Sequence, residues 1–192
     1  GGMTWLFVEW AHVGKPKFLG FLTGTIAGLA TVTPAVGYIS PMSACVIGIL
    51  ASIVCYGAVL FKNKIGLDDA LDVWPVHGVG GMMGMIWLGF FADKAWNPAT
   101  LWENGILFGG SGKLLLVQLI SVVFSSIWAF FATLAIFWIV DRITPVRVPE
   151  HYERDGLDAQ RLRVDVDEVD VLVQVRPRLR LDVVVPAVDP EV

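Results

Sequence analysis

Two long stretches of this sequence hold no charged residue, Phe18 to Phe61 and Leu114 to Val140. Only 17% of the chain is charged and 55% is hydrophobic, against about 25% charged in an average soluble domain. A charge-free run of this length is long enough to cross a bilayer, because ~20 helical residues rising ~1.5 Å each match the ~30 Å hydrocarbon core. A soluble globular domain is thereby excluded for the sequence before Val140. Cysteine is nearly absent too. Cys45 and Cys55 lie in one apolar segment and, on a helix, point in different directions, so neither a disulfide nor a metal site is expected. No nucleophile–base pair, phosphate-binding loop or metal-ligand cluster is recognisable, so no metal, no cofactor and no soluble-type enzyme is expected. Most of the charge sits beyond Val140, so the net charge of −4 averages an apolar block with a polar tail and suggests no nucleic-acid partner.

The chain that remains reads as an all-α, polytopic transmembrane helical bundle with a cytoplasmic tail. Four full spans are predicted, at about 18–36, 42–61, 70–91 and 114–140, the first two cut apart by the turn-rich Gly37-Tyr38-Ile39-Ser40-Pro41. Residues 1–11 read as the end of a further helix, too short to cross and unlike a signal peptide; the expectation is a chain that begins mid-helix. Lys15, Lys17, Lys62, Lys64, Arg142 and Arg147 fall on one side and only Lys94 and Lys113 on the other. Positive charge collects inside, so the carboxy terminus is expected in the cytoplasm of a cell with the bundle in its inner membrane. Trp96 and Trp102, in the loop between the last two spans, suit the headgroup level. Small residues recur every four positions: Gly20, Gly24 and Gly28; Ala44, Gly48 and Ser52; Gly80 and Gly84. Such stripes let helix backbones approach closely and are read as packing faces.

The segment DDALDVWPVHGVGG, residues 68–81, carries the chemistry. Asp68, Asp69 and Asp72 sit where a helix begins, where carboxylates accept first-turn N–H groups and favour the positive end of the dipole. Asp69 with Asp72 resembles a capping box. Pro75 lacks a backbone donor and crowds the carbonyl of Leu71, so the first turns should bend. His77 lies about 12 Å past Asp69 along a helix, inside the hydrocarbon, with Val73, Gly80, Gly81 and Gly84 on its face. That apolar setting favours the neutral ring. A polar side chain at such depth needs a partner helix, a pore or a substrate. Residue type and depth leave a packed histidine and a functional one equally open.

GLATVTPAVGYISP (28–41), DDALDVWPVHGVGGMMG (68–84) and RVPEHYERDGLD (147–158), in this order and spacing, resemble ammonium transporters of the ammonium transporter/Rhesus superfamily. The likeness runs from residue 1 to about 158. It implies an eleven-helix bundle, a homotrimer with one narrow pore per subunit, and ammonium/ammonia as cargo. This chain would supply the end of helix seven and helices eight to eleven. By the same resemblance His77 matches the second of the family's paired pore histidines, and Val73 and Thr33 match positions near the pore. Asp72 matches the acid that opens the histidine-bearing helix, with Pro75, Gly80, Gly81 and Gly84 shaping it. Glu153, Gly156, Leu157 and Asp158 match a cytoplasmic segment that couples subunits, near where a P-II-type signalling protein blocks the pore. The resulting division is 1–145 membrane domain, 146–158 regulatory segment and 159–192 divergent tail. That tail is a monotonous run of Val, Asp, Arg and Leu broken by Pro177, Pro186 and Pro190, expected to be disordered. The family's first pore histidine and aromatic gate belong to earlier helices absent from this sequence.

The implied mechanism suits the residues. An ammonium ion entering a dry channel loses hydration worth many kcal/mol. Giving up its proton leaves neutral ammonia, which crosses an apolar lumen far more cheaply, while a neutral imidazole hydrogen-bonds midway and helps relay the proton. Potassium has no proton to lose and is rejected on chemistry. The competing readings are a non-conducting, truncated or frameshifted remnant of such a transporter, and a membrane haem protein ligated by His77, which lacks a second histidine in any span.

Overall fold

The computed structural model describes residues 1–99, 103–144 and 146–147. Among these the chain is helical, with no strand: α1 Gly2–Val13, α2 Phe18–Val32, α3 Pro41–Ile65, α4 Gly80–Phe91 and α5 Lys113–Ile143. Short 3-10 turns at Thr33–Ala35 and Ile106–Phe108 and a π turn at Trp74–Val79 complete it. The chain divides within α5 into two units, Gly1–Phe131 and Ala132–Val192.

Local chemistry sets the helix ends. α1 stops at Gly14, whose φ of 78° belongs to the left-handed region that glycine enters without cost, and whose N–H returns to the Trp10 carbonyl. α3 starts at Ser40, whose hydroxyl accepts the Ser43 N–H at 3.1 Å, followed by Pro41 where a missing donor costs nothing. α2, continued by its 3-10 turn, α3 and α5 are each long and apolar enough to cross a membrane. The expected span at 70–91 takes a different form. Its helical backbone begins at Val73, three residues late, and is a π turn joined to the twelve-residue α4.

In the first unit the small-residue stripes pack as their spacing suggests. Gly20 and Gly24 on α2 leave room for Glu9 and Trp5 of α1, and Gly28 approaches Gly48 of α3. Glu9 is buried and accepts the Lys17 backbone N–H at 3.1 Å, which ties the α1–α2 connection to the helix it leaves. Trp5, Ala27, Cys55, Tyr56 and Val76 form one buried cluster, in which the Trp5 and Tyr56 rings meet edge to face at 5.2 Å. A second cluster gathers Ala35, Ile39, Ile47, Leu88, Ala92 and Leu114, so α5 is anchored by its first turn.

Beyond Leu114 the apolar side chains of α5 face outward, as in Ile120, Phe124 and Trp128. An apolar exterior of this extent suits contact with lipid and not with water. In the second unit the Arg142 guanidinium lies 4.7 Å over the Trp138 ring, and Asp141 accepts the Val146 N–H at 3.1 Å. Trp102, Glu153, Gly156, Leu157 and Asp158, with the predicted regulatory segment beyond Arg147 and the divergent tail, lie outside the described residues.

Candidate functional site

The residues ahead of the π turn form a compact polar knot. The Asp69 carboxylate accepts the backbone N–H groups of Val73 at 2.9 Å and Trp74 at 2.8 Å, satisfying donors that open a helix. Asp72 does not complete the capping box that the sequence suggests. It turns instead to Lys62, the buried last-turn lysine of α3, with Oδ1 2.5 Å from the ammonium, which also donates to the Asp69 carbonyl at 2.7 Å. Asp72 reaches that pose with a φ of 55°, the one left-handed residue other than glycine among those described. Aspartate is among the few side chains that enter this region readily. Lys62 therefore does not act as a free surface charge, whereas Lys15, Lys17 and Lys64 are exposed.

Partial burial pushes the Asp69 carboxyl up, but the Trp74 and Val73 N–H groups and the Lys62 ammonium together outweigh it and hold the group below the usual carboxylate range. A carboxylate with a depressed pKa contributes stability that is complete above its unfolded value and is lost as pH falls through the folded one. Thermal unfolding in detergent should show the wild-type protein weakening as the medium is acidified below about pH 4. Asp69→Asn should be weaker at pH 7 and flatter across the acid range. An identical acid slope in both proteins would contradict this account.

Pro75 is the second residue of the π turn, fully buried, and the turn carries the backbone from the knot into α4. Proline removes a donor from the α register, and a wider turn absorbs the defect. Gly80 and Gly84 are buried against α2 and the 3-10 turn: a β-carbon on Gly80 would meet the Thr31 hydroxyl, and one on Gly84 would strike the Thr31 carbonyl. Gly81 faces open space. The three glycines thus do not form one packing face.

His77 is exposed and, with Ile26, Leu29, Ala30 and Thr33 of α2 and its 3-10 turn, lines a concavity of about 380 Å³ open on one side. Of the residues singled out in the sequence, His77 and Thr33 meet here; Val73, half exposed, is not part of this lining. The Thr33 hydroxyl donates to the Leu29 carbonyl at 2.6 Å. Its proton is engaged, so it presents lone pairs to any visitor, a preference for species that donate hydrogen bonds. The other walls are aliphatic. A small neutral or protonated amine can donate to Thr33 and interact with the imidazole; an anion finds no charge to pair with in this lining.

Two features had no clear signal in the sequence. The His12 ring nitrogen Nδ1 lies 2.8 Å from the Tyr56 hydroxyl, tying α1 to α3 across 44 positions. The Lys62–Asp72 pair had a weak one: a lysine ending an apolar run, ten residues ahead of an aspartate.

Apolar spanning helices around glycine-lined contacts, with a histidine in an aliphatic recess, define a multi-pass α-helical membrane protein. The profile of the Ammonium Transporter Family matches residues 1–164, and the chain belongs to this family. It is 41% identical over 157 residues to the ammonium transporter Amt1 of Archaeoglobus fulgidus, covering 82% of this chain and 39% of that protein. The ammonium transporter of Bacillus subtilis is 39% identical over 155 residues, covering 80% of this chain and 38% of that one. Among solved structures, Mep2 of Candida albicans superimposes with a TM-score of 0.72 at 35% identity, over 79% of this chain and 34% of its own. The chain spans about two fifths of the length of the curated relatives it matches.

Proposed function

We propose that this chain forms part of a conduit for ammonium/ammonia across a membrane, with His77 as the polar group of its lumen and Thr33 as a neighbouring acceptor. The observation that carries the reading is the placement of His77 beside Thr33 in an otherwise aliphatic recess. Val73, just outside that lining, belongs to the approach, and Asp72, Pro75, Gly80, Gly81 and Gly84 shape the element that bears the ring. The cargo sheds its proton to enter an apolar passage, and the neutral imidazole then accepts or donates one hydrogen bond along it.

The remaining proposals follow the family resemblance. A second histidine pairs with His77, and three copies assemble, each with its own narrow pore. The membrane domain covers 1–145, the segment 146–158 regulates it through Glu153, Gly156, Leu157 and Asp158, and 159–192 diverges. A P-II-type protein would dock on the cytoplasmic face. The exposed Lys15, Lys17 and Lys64 support placing the ends of α1 and α3, with the carboxy terminus, on the cytoplasmic side of the inner membrane. Uptake of labelled methylammonium by vesicles bearing the full-length gene product tests the reading. We expect saturable uptake undiminished by excess potassium. Uptake equal to that of protein-free vesicles would overturn it.

A further inference from the structure

We infer that Lys62 and Asp72 form a clasp that sets the position of His77, making both positioning residues for the recess. The inference rests on the proposed transport role of His77 for its functional consequence, and on geometry alone for its structural one. Lys62 is buried at the end of α3, and its ammonium is shared between the Asp72 carboxylate at 2.5 Å and the Asp69 carbonyl at 2.7 Å. Asp69 in turn holds the Val73 and Trp74 N–H groups. One ammonium on α3 therefore fixes two residues whose other ends grip the start of the π turn, and His77 follows five residues after Asp72. Phe61, next to Lys62, meets Trp74 of the π turn with ring centroids 6.4 Å apart, a second tie between the same two elements. The wider turn lacks the regular α register, so its orientation is set from outside, and the clasp supplies that restraint.

The backbone at Asp72 makes the idea separable from a plain conformational role. At a φ of 55°, glycine is at least as comfortable as aspartate. If position 72 matters only for its turn, Asp72→Gly should equal or exceed the wild type. If the charge pair matters, Asp72→Gly should fail and Asp72→Asn, which tolerates the turn and keeps an oxygen for Lys62, should fall between.

Two readouts on the full-length gene product decide it. The first is the imidazole NMR signal of His77, assigned by its loss in His77→Asn; this reports the clasp whether or not the protein transports. The second is the initial rate of methylammonium uptake. We expect the His77 signal to move in Asp72→Gly and in Lys62→Met. Uptake should fall at least about tenfold in Asp72→Gly, less in Asp72→Asn, since misplacing a group by an ångström costs up to about a hundredfold. Should Asp72→Gly not insert, the same two readouts on Asp72→Asn decide. An unmoved His77 signal in the variant that inserts, or wild-type uptake by Asp72→Gly, overturns the clasp. A wild-type protein that takes up nothing while its variants shift the His77 signal overturns only the transport reading and leaves the clasp standing.

Discussion

Gly84→Ala is expected to destabilise the protein by about 1–3 kcal/mol, the cost of overpacking a full site, and Gly84→Val by more. A β-carbon at Gly84 would strike the carbonyl of Thr31 and lie 3.1 Å from Cδ of Pro34. The first of these is backbone inside a helix and the second a rigid ring, so neither can swing aside. Relief requires α4 to move from α2 as a body, carrying the His77 wall away from the Thr33 wall. Gly81→Ala provides the contrast, because nothing lies within 4 Å of its added carbon. It should be neutral or slightly stabilising, since alanine favours a helix over glycine by about 1 kcal/mol. Unfolding in mixed micelles with a graded denaturant measures both. Equal losses for the two alanine variants would show that the contact between Gly84 and Thr31 is not a tight one.

The second large effect is functional. His77→Ala should lower methylammonium uptake by the full-length gene product about a hundredfold, the lower range for removing a positioned proton-transfer group, or raise potassium leakage in its place. Among the described residues the ring is the one titratable side chain lining the recess, and the Thr33 hydroxyl already donates its hydrogen bond to the Leu29 carbonyl. Without the imidazole no side chain among the described residues lining that recess can take up a proton. His77→Gln separates two contributions: it keeps hydrogen bonding but cannot relay a proton, so partial uptake would assign the remainder to relay. Uptake and potassium selectivity both unchanged in His77→Ala would end the case for this residue.

Much of the architecture was legible because the bilayer imposes long-range uniformity. Charge-free runs gave α2, α3 and α5, and four-residue spacing gave Gly20, Gly24 and Gly28 their packing role. What escaped depends on deviations from ideal geometry. The stacking of His77 on the glycines of α4 assumes 3.6 residues per turn, and the π turn at Trp74–Val79 departs from that spacing between His77 and α4. Asp72 reads as half of a capping box because its partner, Lys62, sits on another helix, ten residues away. His77 stands out by its depth in a span and Thr33 only by family resemblance; their meeting in one recess depends on how α2 lies against the turn, which no local pattern encodes.

The divided form of the segment from Val73 to Phe91 also bears on how the protein is made. It combines a histidine, a proline and five glycines in nineteen positions with a twelve-residue α-helix, so its packing partners matter more than its length. α2 and α3 emerge before it, and each is long and apolar enough to cross a membrane. They present the surfaces this segment needs: Thr31 and the 3-10 turn for Gly80 and Gly84, and the Lys62 ammonium for Asp72. Chain order thus presents these surfaces before the segment that packs on them is made.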